Sequence, residues 1–455
     1  MKLTFLGATD TVTGSKYLLS SHNLNVLIDC GLYQGVKRLR ERNWQPLPVD
    51  VASIDAVILT HAHIDHSGYL PALMKQGFNG PIYCSAGTQE LCKILLPDAG
   101  YLQEEDARFA LKHKFSKHHP PKALYTEQDA RQVLTQIKSV AQHQFIHLTD
   151  HKNKPLKFML TPVGHILGAC AVHIDDGHKR LVFSGDIGRY NDAIMPQPEA
   201  IERADVMVVE STYGDKLHED LDPKRLLGQI ICDTLSRGGS VLIPAFAVGR
   251  AQLMLYYIKQ LALAGAIPKV PVYLNSPMAI SATDLYKKSN RQLKLTSQDC
   301  HEIDAMTTYV RTQEESVALN EKTFPSIIIS ASGMASGGRV VHHLKSLLPD
   351  HRNSIVFAGY QATGTRGQAI VAGAATTKIH GQEIPVKAQI HNVEGLSAHS
   401  DYSETIRWLS NLNEIPQQVY VTHGEETASD TMRKHLRDKF NCSVRVPELG
   451  ETVKI

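Results

Sequence analysis

Four side chains of types that bind metals, within six residues, constrain this chain more than any other feature of its sequence. His61, His63, Asp65 and His66 follow directly on the apolar segment DAVILT, which is typical of a β-strand. Side chains in extended chain alternate with period two, so His61 and His63 point the same way and can share one ion. Asp65 and His66 lie where the chain turns into a helix and can reach a second ion. The run stands at a strand end, where α/β proteins place their sites, which favours this interpretation over a surface histidine-rich turn.

Three more residues of these types occupy equivalent places further along the chain. His165 in TPVGHILGA, Asp186 in FSGDIG and His423 in YVTHG each follow an apolar run and stand beside a glycine, which permits a tight turn. Each alone is equally well explained as a polar residue that ends a strand. Together with the first four they give seven His and Asp side chains, a set that suits Zn²⁺ and also Mn²⁺ or Fe.

The composition excludes several other classes of protein. The 48 Lys and Arg residues exceed the 46 Asp and Glu residues by only two, so the chain is not a polycation that binds nucleic acid over its whole surface. Its seven cysteines are scattered and include no C-x-x-C pair, which indicates a reducing cytoplasm rather than a disulfide framework. No apolar run approaches the ~18 residues of a membrane span, and the N-terminus has no leader pattern. We therefore expect a cytoplasmic protein without a membrane partner.

The order of predicted elements divides the chain into three parts. Short strands fill most of the first 60 residues, helices follow, and strands return over 156–186 with a hairpin signal at Asp175, Asp176 and Gly177. After Ala204, strands and helices alternate, which is typical of βαβ units and a parallel sheet. We predict an α/β domain over 1–205, a second over 206–390 and a closing segment over 391–455. The pattern alone does not decide whether this last segment completes the first domain.

The ordered motifs of the first part resemble those of a known fold. The set Asp29, His61-x-His63-x-Asp65-His66, His165 and Asp186 is similar to the four motifs of the metallo-β-lactamase fold. The resemblance implies an αββα sandwich with two divalent metal ions at its edge, in the first place Zn²⁺. It also implies a division of ligands, with His61, His63 and His165 on one ion and Asp65, His66 and His423 on the other. Asp186 and a hydroxide would bridge the two ions, and Asp29 would orient the histidine loop.

Further motifs resemble one branch of that fold. Glu210-Ser211-Thr212-Tyr213-Gly214, His399 in GLSAHSD, and His423 are similar to motifs A, B and C of the β-CASP nucleases. The segments IPAFAVGRAQ, SASGMASGGR and FAGYQATGTRG resemble bacterial and archaeal ribonucleases and the nuclease subunit of the eukaryotic pre-mRNA 3′-end cleavage complex. This branch inserts a Rossmann-like β-CASP domain, which would explain why ligands resume only after residue 390. The resemblance implies an RNA phosphodiester hydrolase, either an endoribonuclease or a 5′→3′ exonuclease.

Phosphodiester hydrolysis also requires a proton for the leaving oxygen. His399 is the candidate acid, with Glu210 orienting its imidazolium and favouring the charged form. Asp65 and Asp186 complete the predicted catalytic set through the ions that they would hold. The alternative is that His399 merely precedes a helix that Ser400 or Asp401 caps.

Glycine-rich turns of the second part are candidates for contacts to phosphate. Ser332, Gly333 and Met334 lie between a predicted strand and a predicted helix, where backbone N–H groups can cradle an anion. Arg250 and Arg366 lie in comparable turns and would contact the RNA backbone or form structural salt bridges. The basic segment 112–122 is predicted to be a loop, either solvated or lining an RNA path.

Three other functions compete with an RNA hydrolase. A hydrolase of small thioesters, esters or lactams would leave the second part and the pair Glu210/His399 without a role. A β-CASP DNA nuclease is disfavoured by the third motif. The resemblance implies Val at this position in the DNA nucleases, whereas this chain has His423. A non-catalytic scaffold subunit would have lost ligands that are all present here. RNA is therefore the expected substrate, and a second copy of this chain, in a homodimer, is the other candidate partner.

Overall fold

The computed structural model describes residues 1–113, 121–149, 155–218, 222–321 and 324–455. These residues form two compact units. The first unit comprises Met1–Asp192, Pro196–Leu217 and His399–Ile455, and the second comprises Ala193–Met195 and His218–Ala398. The division into domains after residues 205 and 390 stays a prediction. Most of the basic segment 112–122 lies outside the described residues.

The first unit contains two seven-stranded sheets. In spatial order, the first sheet consists of Thr452–Lys454, Lys2–Phe5, Tyr17–Ser21, Leu24–Ile28, Ala56–Ile58, Ile82–Cys84 and Ile137–Ser139. The second sheet consists of Ser443–Arg445, Gln418–Val421, Val206–Val209, Arg180–Phe183, Cys170–Asp175, Pro155–Pro162 and Ile146–Thr149. In each sheet, the strands of one half are antiparallel and those of the other half are parallel. Most residues of the candidate site follow strands of the two parallel halves.

One hydrophobic core joins the two sheets. Alternate residues of each strand enter this core because side chains of a strand point to opposite faces. The strand Leu24–Ile28 contributes Leu24, Val26 and Ile28, and the strand Cys170–Asp175 contributes Cys170, Val172 and Ile174. The helix Ala86–His113 contacts the first sheet, and the helix Glu426–Phe440 contacts the second. These layers form the αββα sandwich that the resemblance predicted.

The remaining helices of the first unit are short. They are Lys37–Arg42, Ile64–Ser67, Leu70–Lys75, Glu127–Val133 and Tyr402–Leu409. Apolar residues at three- and four-residue spacing predict one helix over residues 67–76, but the structure ends one helix at Ser67 and begins the next at Leu70. The same spacing predicts a helix over residues 127–138, but the observed helix ends at Val133 because Ile137–Ser139 pairs with Ile82–Cys84. Sheet pairing here overrides local helix periodicity.

The second unit is built on a parallel sheet, as the alternation predicted. Its six strands are, in spatial order, Thr307–Tyr309, Val272–Leu274, Ile327–Ser330, Val241–Pro244, Ser354–Phe357 and Gln389–Asn392. A separate hairpin pairs Thr376–Ile379 with Gln382–Pro385. The helices are Pro223–Ser236, Arg250–Leu263, Pro277–Lys288, Ser297–Met306, Gln313–Asn320, Arg339–Leu347 and Arg366–Val371. Across the described ranges, no helix combines the length and the hydropathy that crossing a bilayer requires.

Candidate metal centre and active site

Most of the candidate site lies at the carboxyl ends of parallel strands in the first unit, and His165 follows the antiparallel strand Pro155–Pro162. In the first sheet, Asp29 and His61 follow the neighbouring strands Leu24–Ile28 and Ala56–Ile58. In the second sheet, Asp186, Glu210 and His423 follow three parallel neighbours, the strands Arg180–Phe183, Val206–Val209 and Gln418–Val421. The carboxyl ends of parallel strands lie at one edge of a sheet, so each sheet delivers its polar residues to one place.

The first group of candidate ligands consists of His61, His63, His165 and Asp186, whose ligand atoms all lie within 4.8 Å of one another. Nδ1 of His63 is 3.1 Å from Nε2 of His61 and 3.2 Å from Nε2 of His165. Oδ2 of Asp186 is 3.4 Å from Nε2 of His61 and 3.6 Å from Nε2 of His165. A tetrahedral Zn²⁺ with bonds of about 2.0–2.2 Å separates its ligands by about 3.3–3.6 Å, so this donor set fits one zinc ion.

The second group consists of Asp65, His66 and His423. Nε2 of His423 is 3.1 Å from Nε2 of His66 and 3.5 Å from Oδ2 of Asp65. Oδ1 of Asp186 is 3.1 Å from Nε2 of His66, so Asp186 presents one oxygen to each group. Within the described residues this Oδ1 is buried and accepts no hydrogen bond, as suits an oxygen that binds a metal.

A hydrogen-bond network fixes the orientation of His66. Oδ2 of Asp29 is 2.7 Å from Nδ1 of His66, which leaves Nε2 directed at the second group. The backbone amide and the hydroxyl of Thr60 donate to the two oxygens of Asp29 at 2.7 and 2.8 Å. Asp29 itself has a φ of +56°, a left-handed conformation that a non-glycine residue adopts only where its surroundings hold it.

His399 lies beside the two groups and belongs to neither. Its Nδ1 is 3.0 Å from Oε2 of Glu210, and its Nε2 is 4.0 Å from Oδ2 of Asp186. Glu210 is held in turn by the Ile187 amide and by the Thr212 hydroxyl, which donates at 2.6 Å. The His399 side chain is 18% exposed, whereas that of Asp186 is 2% exposed, so His399 has the greater access to solvent.

The electrostatic environment divides the histidines into two kinds. Burial, together with neighbouring imidazoles, lowers the pKa values of His61 and His165, and lowers that of His63 to about 3. Neutral imidazole is the form that binds metals. Burial opposes the charged form of His399 too, but the Glu210 carboxylate outweighs it and raises the pKa of His399. Likewise, despite burial, Asp186 and Asp29 raise the pKa of His66.

The two carboxylates among the candidate ligands are held in their charged form. Burial alone would raise the pKa of Asp65, but its hydrogen bond to His423 and the nearby His66 lower it. Burial is likewise outweighed at Asp186, whose pKa is lowered by His423, His66 and His61. Both side chains therefore stay ionised and able to bind a cation over the neutral pH range.

The backbone approaches itself closely where the ligands are mounted. A Cβ on Gly31 would overlap the carbonyl of Asp65, so only glycine fits at this position. The Cys30 amide donates to the His66 carbonyl at 2.7 Å, and the Leu32 amide donates to the Ile64 carbonyl at 2.9 Å. The chain that follows Asp29 is therefore bonded along the segment that carries Asp65 and His66.

The five predicted phosphate contacts all belong to the second unit, and the candidate ligands all belong to the first. Ser332, Gly333 and Met334 follow the strand Ile327–Ser330, and the side-chain amide of Gln361 donates to the Gly333 carbonyl at 3.2 Å. Arg250 begins a helix, is 3% exposed and donates to the Leu396 carbonyl at 2.8 Å. Arg366 begins another helix and donates to the carbonyls of Ala335 and Lys378.

Sequence reasoning missed two threonines. Thr60 makes two hydrogen bonds to Asp29, and the Thr212 hydroxyl lies 3.2 Å from Nδ1 of His423 in addition to its bond to Glu210. Thr60 ends the segment DAVILT, directly before the first histidine, and Thr212 lies two residues after Glu210. A hydroxyl at such a strand end is a signal for a residue that positions ligands.

Two histidine and aspartate groups that share one carboxylate, set on an αββα sandwich, define a metal-dependent hydrolase site of the metallo-β-lactamase type. Three family models match the chain. They describe the metallo-β-lactamase superfamily over residues 10–221, a β-CASP domain over 251–370, and a Zn-dependent metallo-hydrolase RNA specificity domain over 383–447. These matches and the two groups together support the binding of divalent metal.

Two relatives that align over the whole of this chain establish its family. The chain is 34% identical to "Ribonuclease TTHA0252" of Thermus thermophilus in an alignment that covers all of both proteins. It is 31% identical to "Transcription termination factor FttA" of Methanocaldococcus jannaschii, of which it covers 72%. The chain therefore belongs to the β-CASP branch of the metallo-β-lactamase superfamily, which confirms the predicted family and fold. A crystal structure of a protein of unknown function from Enterococcus faecalis shares the fold, with a TM-score of 0.53, 13% identity and 99% coverage of both chains.

Proposed function

We propose that this protein is a metal-dependent ribonuclease that hydrolyses phosphodiester bonds of RNA. One observation carries the proposal: Asp186 faces both candidate ligand groups, and His399, paired with Glu210, stands beside them and belongs to neither. Hydrolysis of a phosphodiester requires both a metal site that activates water and a separate group that protonates the leaving oxygen. One relative that matches the whole chain is named a ribonuclease, which supports RNA as the substrate.

We assign the metal ligands as follows. His61, His63 and His165 would hold one ion, Asp65, His66 and His423 would hold the other, and Asp186, which faces both groups, would contribute to both. Zn²⁺ suits this set of imidazoles and carboxylates, with Mn²⁺ and Fe as alternatives. Such cations activate water as a nucleophile and neutralise charge on the phosphate. Asp29 keeps Nε2 of His66 directed at the second group.

His399 is the proton donor in this proposal. Its Nδ1 is engaged by Glu210 at 3.0 Å, so Nε2 is the atom left to deliver a proton to the leaving oxygen. Nε2 also faces the ligand groups, since Asp186 is the carboxylate nearest to it at 4.0 Å. Glu210 is a positioning residue that orients the ring and stabilises its charged form.

The second unit supplies the other proposed contacts to RNA. Backbone amides at Ser332, Gly333 and Met334 would bind a phosphate group of the RNA. The guanidinium groups of Arg250 and Arg366 would contact the RNA backbone. Both guanidinium groups already donate to main-chain carbonyls, so alanine variants must be tested for stability as well as for RNA affinity. The homodimer and the cytoplasmic location stay predictions, which sedimentation and cell fractionation test.

End-labelled RNA and DNA oligonucleotides of one sequence test the proposal directly. We expect RNA to be cleaved in the presence of Zn²⁺ or Mn²⁺ and to remain intact after treatment with a chelator. A ladder of products would indicate an endonuclease, and mononucleotides an exonuclease. The variant His399→Ala should retain its metal and lose cleavage. Cleavage of DNA alone, or of thioesters without RNA, would overturn the assignment.

A further inference from the structure

A short helix of the first unit presents basic side chains to solvent. The helix Lys37–Arg42, called the cationic helix below, contains four cations in six residues and buries none of its residues. Lys37, Arg38 and Arg40 are exposed, and no ion pair within 4.0 Å is present for them in the part of the chain that the structure describes. Their charged groups are therefore available to an anionic partner.

The acidic groups around the cationic helix leave this outer face positive. Arg42 is turned inward, where it forms a bidentate pair with Asp10 at 3.0 and 3.0 Å. Asp10 also lies in the field of Arg38, and Asp106 lies in the field of Arg40. Glu41 is the acid on the helix itself. These carboxylates offset part of the positive charge, and within the described ranges no ion pair joins them to Lys37, Arg38 or Arg40.

An exposed aromatic ring follows the cationic helix immediately. Trp44 is 42% exposed, a large fraction for an indole that could otherwise have been buried. Its backbone amide donates to the Glu41 carbonyl at 3.1 Å, so the ring is mounted on the end of the helix. Cations beside an exposed aromatic ring are the elements with which proteins bind single-stranded nucleic acid, through phosphates and through base stacking.

Hydrogen bonds tie the cationic helix to the segment that carries the candidate ligands. The Asn43 side chain exchanges two hydrogen bonds with the backbone of Tyr33, at 2.9 and 2.8 Å. Only one residue separates Tyr33 from Gly31, which lies against Asp65. Lys37 follows Leu32 by five residues, so the Cα atoms of Leu32 and Lys37 are at most about 18 Å apart. The Leu32 amide in turn donates to the carbonyl of Ile64, the residue before Asp65. The cationic helix is thus joined, through a short hydrogen-bonded segment, to the part of the chain that carries Asp65 and His66.

We propose that the cationic helix and Trp44 form a binding surface for single-stranded RNA beside the catalytic centre. Lys37, Arg38 and Arg40 bind backbone phosphates, and Trp44 stacks on one base. Neither contact reads the sequence of bases, so the surface holds RNA regardless of sequence and presents it to the site. This inference rests on the proposed ribonuclease function and names the surface that binds the substrate.

Salt dependence separates this surface from a merely solvated helix. We compare the triple variant Lys37→Gln/Arg38→Gln/Arg40→Gln with the wild type, both in a His399→Ala background, by titrating an unstructured oligoribonucleotide. For single strands the slope of log Kobs against log [salt] is about −0.7 per phosphate contact, so losing three contacts should make it shallower by about 2. The variant Trp44→Ala should weaken binding about tenfold and leave the slope unchanged.

Controls distinguish a local effect from a change in net charge or folding. The matched variant Lys434→Gln/Arg437→Gln/Lys439→Gln removes three exposed cations from the helix Glu426–Phe440 and should bind RNA with the wild-type slope. With His399 restored, the Lys37/Arg38/Arg40 variant should raise KM for RNA and keep the wild-type kcat on a small aryl phosphodiester. Equal slopes for the Lys37/Arg38/Arg40 variant and the wild type would overturn this inference. A wild-type enzyme that cleaves no RNA would instead overturn the proposed function.

Discussion

Replacing Glu210 by Gln tests whether His399 acts as the proton donor. The substitution keeps the size of the side chain and an acceptor for the Ile187 amide, but removes the negative charge that lies 3.0 Å from Nδ1 of His399. None of the residues assigned as metal ligands is changed, and Glu210 lies within 4.8 Å of the ligand atoms of Asp186 and His423. We therefore expect Glu210→Gln to fold and to bind metal as the wild type does.

The size of the effect follows from the contact that is weakened. A hydrogen bond to a charged group contributes about 1.5–3 kcal/mol, which corresponds to a loss in kcat of about 10- to 100-fold. Removal of the proposed acid in His399→Ala should cost more, about 10²- to 10⁴-fold. Glu210 raises the pKa of His399, so its loss should also move the alkaline limb of the pH–rate profile to lower pH.

A pair of substrates makes the assay specific for proton donation. An RNA ribose oxygen needs a proton to leave, whereas a nitrophenolate leaves without one. Both variants should therefore be strongly impaired on RNA and nearly normal on an aryl phosphodiester. The control Glu448→Gln makes the same chemical change at an exposed carboxylate and should be silent on both substrates. Equal losses of Glu210→Gln on both substrates, or loss of bound metal, would refute the assigned roles.

Three further predictions concern metal and stability. Asp186→Asn should lower the metal content measured by atomic absorption and abolish cleavage, because Asp186 faces both ligand groups; a fully loaded variant would contradict its shared position. Gly31→Ala should also lose metal, because its Cβ would displace the Asp65 carbonyl, whereas Gly337→Ala has open space and should be silent in the same measurement. Burial and Glu127 raise the pKa of Asp98 to about 6 from 3.8, so the folded state loses stability as the pH rises from about 4 to 6, and the deficit persists above pH 6. Asp98→Asn should therefore raise the free energy of unfolding in urea by up to about 3 kcal/mol at pH 7.5 and have no effect near pH 3, and an equal effect at both pH values would contradict this sign.

The candidate ligands could be identified from sequence because they follow apolar strands, most of them closely, with Asp65 and His66 on the short helix Ile64–Ser67 just beyond. A period-two strand followed by His, Asp or Glu beside glycine is a local pattern, and the seven candidates all lie in the two groups. Apolar positions that repeat at helical spacing likewise predict a helix over residues 250–263, and the structure has a helix with these bounds. Local patterns suffice where local propensity and tertiary packing agree.

Other elements could not be predicted because their signals were weak or non-local. The helices Ser297–Met306 and Gln313–Asn320 have few apolar residues, yet each begins with a capping box, at Thr296 and Thr312, which periodicity does not detect. The strand Ile137–Ser139 exists because it pairs with Ile82–Cys84, distant in sequence. The positive φ of Asp29 likewise depends on tertiary bonds, which no sequence window contains.

The placement of carboxylates explains how one residue type can serve two purposes within a single site. His61, His63 and His165 are buried among imidazoles, and the resulting environment favours the neutral ring that a metal ion requires. His399 differs in having the Glu210 carboxylate on Nδ1, which favours the charged ring that a proton donor requires. Glu210 in turn is held by an amide and a hydroxyl, so its position does not depend on His399. Environment, rather than residue type, therefore separates these three proposed ligands from the proposed acid.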